Sequence, residues 1–211
     1  MRALPDLSTY LVLDPDLCAP IGMVETTRLS VAGGATIVQL RHKTATTAQR
    51  IALGQHLKNM IAGRAALCVN DDIEAAMTLQ ADILHIGQDD IAPAEARAQI
   101  GADMVLGLSV HSGETAQAVD PAIVDYVGVG PVFATQTKSD AKAPIGLNGL
   151  ADIIGTAPVP AVAIGGVKTE HAAACIQAGA AGIAVVSAIC GRPDPRAATA
   201  NLVDTIRKAR P

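Results

Sequence analysis

The sequence predicts an α/β protein built as one compact, single-domain (β/α)₈ (TIM) barrel spanning residues 1–211. Three observations carry this expectation. Eight short apolar runs rich in β-branched residues recur along the chain, an Ala-rich helical stretch follows each of them, and 211 residues leave roughly 26 per unit, near the lower size limit of such a barrel. The length, divided by roughly 150 residues per domain, also favours one domain, and no Pro/Gly/Ser-rich linker divides the chain. The competing open, doubly wound sheet carries a Gly-rich phosphate turn after its first strand. Here that strand runs into Leu13-Asp14-Pro15-Asp16, without a glycine.

The eight runs are Tyr10–Leu13, Ala35–Leu40, Ala66–Val69, Ile83–Ile86, Met104–Leu108, Tyr126–Val129, Pro160–Ile164 and Gly182–Val186. Each is nearly continuous in hydrophobicity, as a strand covered on both faces should be. The helical segments between them are Ile21–Ala32, Thr47–Ile61, Ile73–Leu79, Pro93–Ile100, Gly113–Val119, Leu150–Ile154, Glu170–Ala178 and Pro195–Ala209. Thr169 is expected to cap the seventh of these, and Gly179 to stop it.

Composition narrows the function classes. Half of the chain is hydrophobic and 17% is charged, with a net charge of −4. Tyr10, Tyr126 and Phe133 are the only aromatics, too few for a base-stacking nucleic-acid surface, and no global positive field draws DNA or an anionic membrane. The N-terminus has no signal-peptide pattern, and no apolar run of about 20 residues occurs. The expectation is a soluble, cytoplasmic protein, with a homo-oligomer left open. Cys18, Cys68, Cys175 and Cys190 form no Cys-x-x-Cys pair and read as reduced, buried thiols.

In a (β/α)₈ barrel, chemistry gathers where the strands end at their C-terminal side. The second strand ends Gln39-Leu40-Arg41-His42-Lys43, and strand alternation sends Gln39, Arg41 and Lys43 to one side, two cations and an amide suited to an oligophosphate. The third ends Asn70-Asp71-Asp72 and the fourth His85-Ile86-Gly87-Gln88-Asp89-Asp90. Carboxylates from these neighbours can converge on Mg²⁺, with Asp71 and Asp90 as candidates. Capping of the following helices is the competing role for Asp71 or Asp72 and for Asp90. His85 sits in an apolar strand as a satisfied core histidine would. The fifth strand brings Ser109 and His111, the latter a proton carrier or simply the start of a loop. The long 130–147 connection carries Thr135, Thr137 and Lys138 and has the length of a functional loop or lid. Lys142 reads as solvated. Gly165-Gly166 after the seventh strand, and Val186-Ser187 after the eighth, match the recurring backbone-built phosphate site of these barrels, where amides and a helix N-terminus face the anion. Two anion sites on one mouth suit a two-substrate transferase with diphosphate as leaving group better than an isomerase.

Taken together, Gln39-Leu40-Arg41-His42-Lys43, Asn70-Asp71, His85-Ile86-Gly87-Gln88-Asp89-Asp90, Gly107-Leu108-Ser109, Thr135-Gln136-Thr137-Lys138, Ala163-Ile164-Gly165-Gly166 and Val186-Ser187 resemble the thiamine-phosphate synthase family from Tyr10 to Ile189. The resemblance implies an enzyme that joins two small phosphorylated heterocycles, 4-amino-2-methyl-5-pyrimidinylmethyl diphosphate and a thiazole phosphate or its 2-carboxylate. The products would be thiamine phosphate and diphosphate, with CO₂ from the carboxylate. It implies that Arg41, Lys43, Asn70, Ser109 and Lys138 hold the diphosphate and that Gln39 faces the pyrimidine. Asp71 and Asp90 would bind Mg²⁺, Thr135 and Thr137 would flank the thiazole, and Gly166, Val186 and Ser187 would hold its phosphate. Asp72 departs from the family pattern, where many members carry Arg, and is expected to cap or support. Alternatives are a thiazole tautomerase using His111, and a catalytically silent phosphate-binding barrel.

Overall fold

The computed structural model describes residues 4–135 and 142–210. Eight parallel strands close into a barrel: β1 Thr9–Val12, β2 Ile37–Leu40, β3 Ala66–Asn70, β4 Ile83–Ile86, β5 Val105–Val110, β6 Tyr126–Val129, β7 Ala161–Ala163 and β8 Gly182–Val185. Each pairs with its sequence neighbour, and β8 closes on β1 from Thr9↔Ile183 to Leu11↔Val185. The described helices are α1 Pro15–Cys18, α2 Met23–Ala32, α3 Thr47–Ile61, α4 Ile73–Leu79, α5 Pro93–Ile100, α6 Gly113–Gln117, α7 Gly146–Thr156, α8 Thr169–Gln177 and α9 Pro195–Ala209.

Strand alternation sorts the apolar residues into two cores. Leu11, Val38, Val69, Leu84, Leu106, Val127 and Ile183 point outward and pack with helix residues such as Leu57, Ala75, Leu150 and Leu202. Tyr10, Ile37, Cys68, Val105, Tyr126 and Val162 point inward and fill the barrel. Both faces of each strand are therefore apolar, which is why the runs read as continuous. Each fully buried Leu, Ile or Val side chain contributes about 1.5–3 kcal/mol. All four cysteines are free and buried, as expected. Among the described residues, no helix is long and apolar enough to cross a membrane.

The helix starts follow local chemistry. Asp14 accepts hydrogen bonds from the amides of Asp16 and Leu17, and Pro15 occupies the first turn of α1, a one-turn helix the apolar pattern is too short to announce. Thr46 and Gln49 form a reciprocal capping box on α3, and Asp194 caps α9. Three expectations shift. Thr169 is the first residue of α8 rather than its cap: Lys168 takes that place, and its amide donates to His171 Nδ1 at 3.3 Å. Gly179 follows the helix end as expected, with φ of 101°. Helix α7 is longer than Leu150–Ile154, because burial of Leu150 and Ile153 outweighs the poor helix propensity of Gly146 and Gly149. Strand β5 continues to Val110, so Ser109 is part of the barrel wall.

Candidate active site

A cavity of ≈ 260 Å³ opens at the C-terminal ends of the strands. Of the expected site residues, Gln39, Arg41, Lys43, Asn70, Asp71, Asp90, Ser109, Thr135, Gly166, Val186 and Ser187 all line it. Thr137 and Lys138 lie outside the described residues. Tyr10, His85, Gln88, His111, Tyr126 and Lys142 also line the cavity.

One side of the mouth is cationic and acidic. Gln39 continues the inward-facing register of β2, and Arg41 and Lys43, on the loop just past its end, also line the cavity. Among the described residues, no carboxylate forms an ion pair with Arg41 or Lys43 within 4.0 Å, so both cations remain available to a ligand. The loop that carries them is strapped by Arg50 of α3. Its guanidinium donates to the carbonyls of His42 at 3.0 Å and Lys43 at 3.2 Å, and to Asp72 Oδ2 at 2.8 Å. Asp72 also caps α4 by accepting from the Ala75 amide at 2.9 Å. It supports the site from behind, as expected from its departure from the family pattern. Its carboxyl is held below the usual range: hydrogen bonds from Ala75 and Arg50 outweigh the effect of partial burial, which is the largest single influence and acts upward.

Asp71 is turned differently. Its backbone is left-handed, with φ of 62°, and its amide donates to the His85 carbonyl at 2.9 Å. This projects the carboxylate into the cavity beside Asp90, where the Asn70 amide group donates to it. Burial, then the adjacent Asp90, pushes the Asp71 carboxyl up to about 6, while Lys43 and Asn70 pull the other way. Asp90 does not cap α5, which starts at Pro93 after Ala92 without a side-chain cap. Instead Asp90 Oδ2 accepts from the Gly87 amide at 2.7 Å, which holds the carboxylate over its own loop. Two carboxylates in contact, one resisting ionisation through its burial and then through the other's charge, form a site short of positive charge. Among the described residues, no group of three or more His, Cys, Asp or Glu could hold a metal by itself. A carboxylate pair nonetheless fits Mg²⁺, which is usually bound through one or two carboxylates with water and substrate phosphate oxygens completing its shell.

The opposite side is built from backbone. Gly165 and Gly166 have φ of 90° and 65° and turn the chain after β7 against the segment from Pro131 to Ala134. A Cβ on Gly166 would lie 2.5 Å from the Ala134 carbonyl oxygen and 2.6 Å from that of Phe133, so only glycine fits. After β8 the chain makes a single tight turn, with the Ile189 and Cys190 amides bonded to the Val186 carbonyl at 3.0 and 2.8 Å. It is a turn and not the helix N-terminus expected there. Among the described residues, the amides of Gly166, Ser187 and Ala188 donate to no protein acceptor. That leaves them for an anion.

Four features escape a linear reading. Lys142 is exposed, as expected, but it is not merely solvated: its Nζ sits 2.6 Å from His111 Nε2. Burial and Lys142 hold His111 below its ordinary value. Phe133 stacks on His171 with ring centroids 4.0 Å apart, pinning the start of the long connection to α8. Gln88 Nε2 donates to the Ser109 carbonyl at 2.7 Å and ties the β4 loop to β5. Below the mouth, Gln39, Tyr10, Tyr126, His85 and Ser109 form a continuous hydrogen-bonded chain across the barrel. Two of the three aromatics falling on inward strand positions is the one sequence signal that could have pointed to it. Gly107 makes room for this chain, since a Cβ there would lie 2.3 Å from Tyr126 Cζ and 2.5 Å from His85 Nδ1.

Comparison with known proteins extends the geometry. A family model described as Thiamine monophosphate synthase matches residues 9–189. The thiamine-phosphate synthase of Psychrobacter sp. (strain PRwf-1) is 44% identical over 200 residues, covering 93% of this chain and 94% of the relative. That of Azorhizobium caulinodans is 44% identical over 206 residues, 97% of each chain. The solved structure of thiamine phosphate pyrophosphorylase from Pyrococcus furiosus superposes with a TM-score of 0.88 at 32% identity, over 97% of this chain and 98% of that one. A 3-hexulose-6-phosphate synthase, with a TM-score of 0.70 at 20% identity, shares the fold alone.

Proposed function

We propose, from the premise that this chain belongs to the thiamine monophosphate synthase family, that its barrel mouth condenses 4-amino-2-methyl-5-pyrimidinylmethyl diphosphate with a thiazole phosphate to give thiamine phosphate and diphosphate. The enzyme is a transferase, and its substrates are two small phosphorylated molecules. The observation that carries the reading is the division of one cavity into a cationic, acidic side and a backbone-built side. It supports one subsite for a metal-bound diphosphate and another for a monophosphate.

On this reading Arg41 and Lys43 grip the diphosphate, Arg as a planar fork and Lys as a point charge. Asn70 and Ser109 donate to it, and Lys138 adds a cation from the long connection. Asp71 and Asp90 would hold Mg²⁺, whose charge adds to that of Arg41 and Lys43 in neutralising the departing group. Gln39 faces the pyrimidine. Thr135 and Thr137 flank the thiazole, while the Gly166, Val186 and Ser187 backbone holds its phosphate. The bond between the pyrimidinylmethyl carbon and the diphosphate oxygen breaks with its electron pair leaving on oxygen. The ring amino group spreads the positive charge left on carbon, and the thiazole nitrogen supplies the new pair. No general base is required, so positioning and charge stabilisation do the catalytic work.

The test is direct: the two substrates are combined with the protein and Mg²⁺, and thiamine phosphate and diphosphate are measured. Equimolar appearance of both is expected. No product would refute the reading, and isomerisation of the thiazole alone without Mg²⁺ would favour a tautomerase.

A further inference from the structure

The chain of hydrogen bonds beneath the mouth is unused by the roles above except at its two ends. Gln39 Nε2 donates to Tyr10 Oη at 2.7 Å. Tyr10 Oη is 3.1 Å from Tyr126 Oη, Tyr126 Oη is 2.9 Å from His85 Nδ1, and His85 Nε2 is 3.0 Å from Ser109 Oγ. Burial keeps both phenols protonated, raising them well above their ordinary value, and drives His85 down to about 4, so its ring is neutral at physiological pH. A neutral imidazole has one donor and one acceptor. The chain therefore has two self-consistent proton arrangements. In one, Tyr10 donates to Tyr126, Tyr126 to Nδ1, and Nε2–H to Ser109, leaving the Ser109 proton free for the cavity. In the other every proton is reversed, Tyr10 donates to Cys68 Sγ at 3.0 Å, and Ser109 spends its proton on His85.

We propose that His85 is a positioning residue for the reaction: bound diphosphate selects the first arrangement, in which the Nε2 proton of His85 occupies a Ser109 lone pair and turns the Ser109 hydroxyl proton toward a diphosphate oxygen. With Nε2 protonated, His85 donates to Ser109 Oγ and no longer accepts from it, so the hydroxyl proton is oriented toward the ligand before the charge develops on the leaving group. Such prearranged donors are worth most in a water-poor site, because they need no reorganisation as the bond breaks. Tyr126 acts one step further back, by filling Nδ1 with a donated proton and so forcing the remaining ring proton onto Nε2. This rests on the reading that the diphosphate lies against Ser109.

The experiment has two readouts on the full-length protein. Imidazole ¹⁵N spectra, with Mg²⁺ and inorganic diphosphate added, should show His85 protonated at Nε2 and bare at Nδ1. An Nδ1–H ring in that complex, or a tautomer mixture that diphosphate does not shift, overturns the proposal. In steady-state kinetics, Ser109→Ala should lower kcat by about 10²-fold. His85→Leu should lower it comparably with little change in the KM for the thiazole phosphate, and the double variant should be no slower than Ser109→Ala alone. His85→Gln, whose amide can donate to Ser109 Oγ, should recover part of the loss. Additive losses in the double variant, or wild-type turnover in His85→Leu, overturn it. If His85→Leu does not fold, Tyr126→Phe takes its place, with the same non-additivity expected against Ser109→Ala. Failure of the wild-type protein to make thiamine phosphate would instead remove the functional reading itself.

Discussion

Replacing Asp71 by Asn should make the protein more stable and nearly inactive at once. Burial and the neighbouring Asp90 lift the Asp71 carboxyl from its ordinary 3.8 to about 6. At 1.36 kcal/mol per pH unit, that difference opposes folding by about 3 kcal/mol when Asp71 is ionised without a cation beside it. Solvent reaching the half-buried side chain screens this to about 1–2 kcal/mol. A carboxyl raised on folding favours the folded state below its unfolded value, and that contribution is lost as pH rises through about 6. The Asp71→Asn variant should thus melt about 2–8 °C above wild type at pH 7.5 without Mg²⁺, at about 2–4 °C per kcal/mol, and the advantage should shrink by more than half at pH 4.5. The left-handed backbone, with φ of 62°, is one Asn adopts readily, so it adds no penalty. Turnover with Mg²⁺ should fall at least about 10²-fold, since removing one carboxylate weakens the metal's several kcal/mol of charge stabilisation. Scanning calorimetry at the two pH values and a thiamine phosphate assay measure both effects. A lower melting temperature at pH 7.5, an equal shift at both pH values, or retained turnover would refute the reasoning.

Arg41→Ala should cost at least about 10²-fold in turnover with an unchanged melting temperature, because its guanidinium makes no ion pair among the described residues that folding depends on. Gly166→Ala should destabilise by about 1–3 kcal/mol in urea unfolding and raise the KM for the thiazole phosphate, since the added Cβ meets two carbonyl oxygens at a φ of 65°. Asp72→Ala removes the α4 cap and the Arg50 partner together and should lower stability by about 1–3 kcal/mol, read by the same unfolding method. Chelation by EDTA should stop product formation, and added Mg²⁺ should restore it. Activity that survives chelation would exclude the carboxylate pair as the metal's site.

Much of the site is legible in the sequence because it depends on rules that act over a few residues. Gln39, Arg41 and Lys43 follow a period of two that points them to one side, and although β2 ends at Leu40 all three line the cavity. Asp72 before Ile73 reads as a cap for the same local reason. Asp90 shows the limit: it precedes Pro93 closely enough to suggest a cap, yet its carboxylate is taken by the Gly87 amide instead.

The sequence by itself determined the barrel, the order of its units and the rim on which cations, acids and glycines meet, because hydrophobic period, turn residues and strand alternation are encoded locally. Only the closed tertiary structure decided which side chains touch across it. Tyr10 and Tyr126 meet from positions 116 residues apart, His85 reaches Tyr126 over 41 and Ser109 over 24, and Arg50 finds Asp72 over 22. No local pattern signals those partners, since the Tyr10, Tyr126, His85 and Ser109 contacts need the inward faces of different strands brought within hydrogen-bonding distance, and the Arg50 contact needs α3 packed beside the start of α4. The fold also sets Asp71 beside Asp90 and half-buries Asp71, so the charge deficit that suits the site to Mg²⁺ is a property of the fold rather than of either residue.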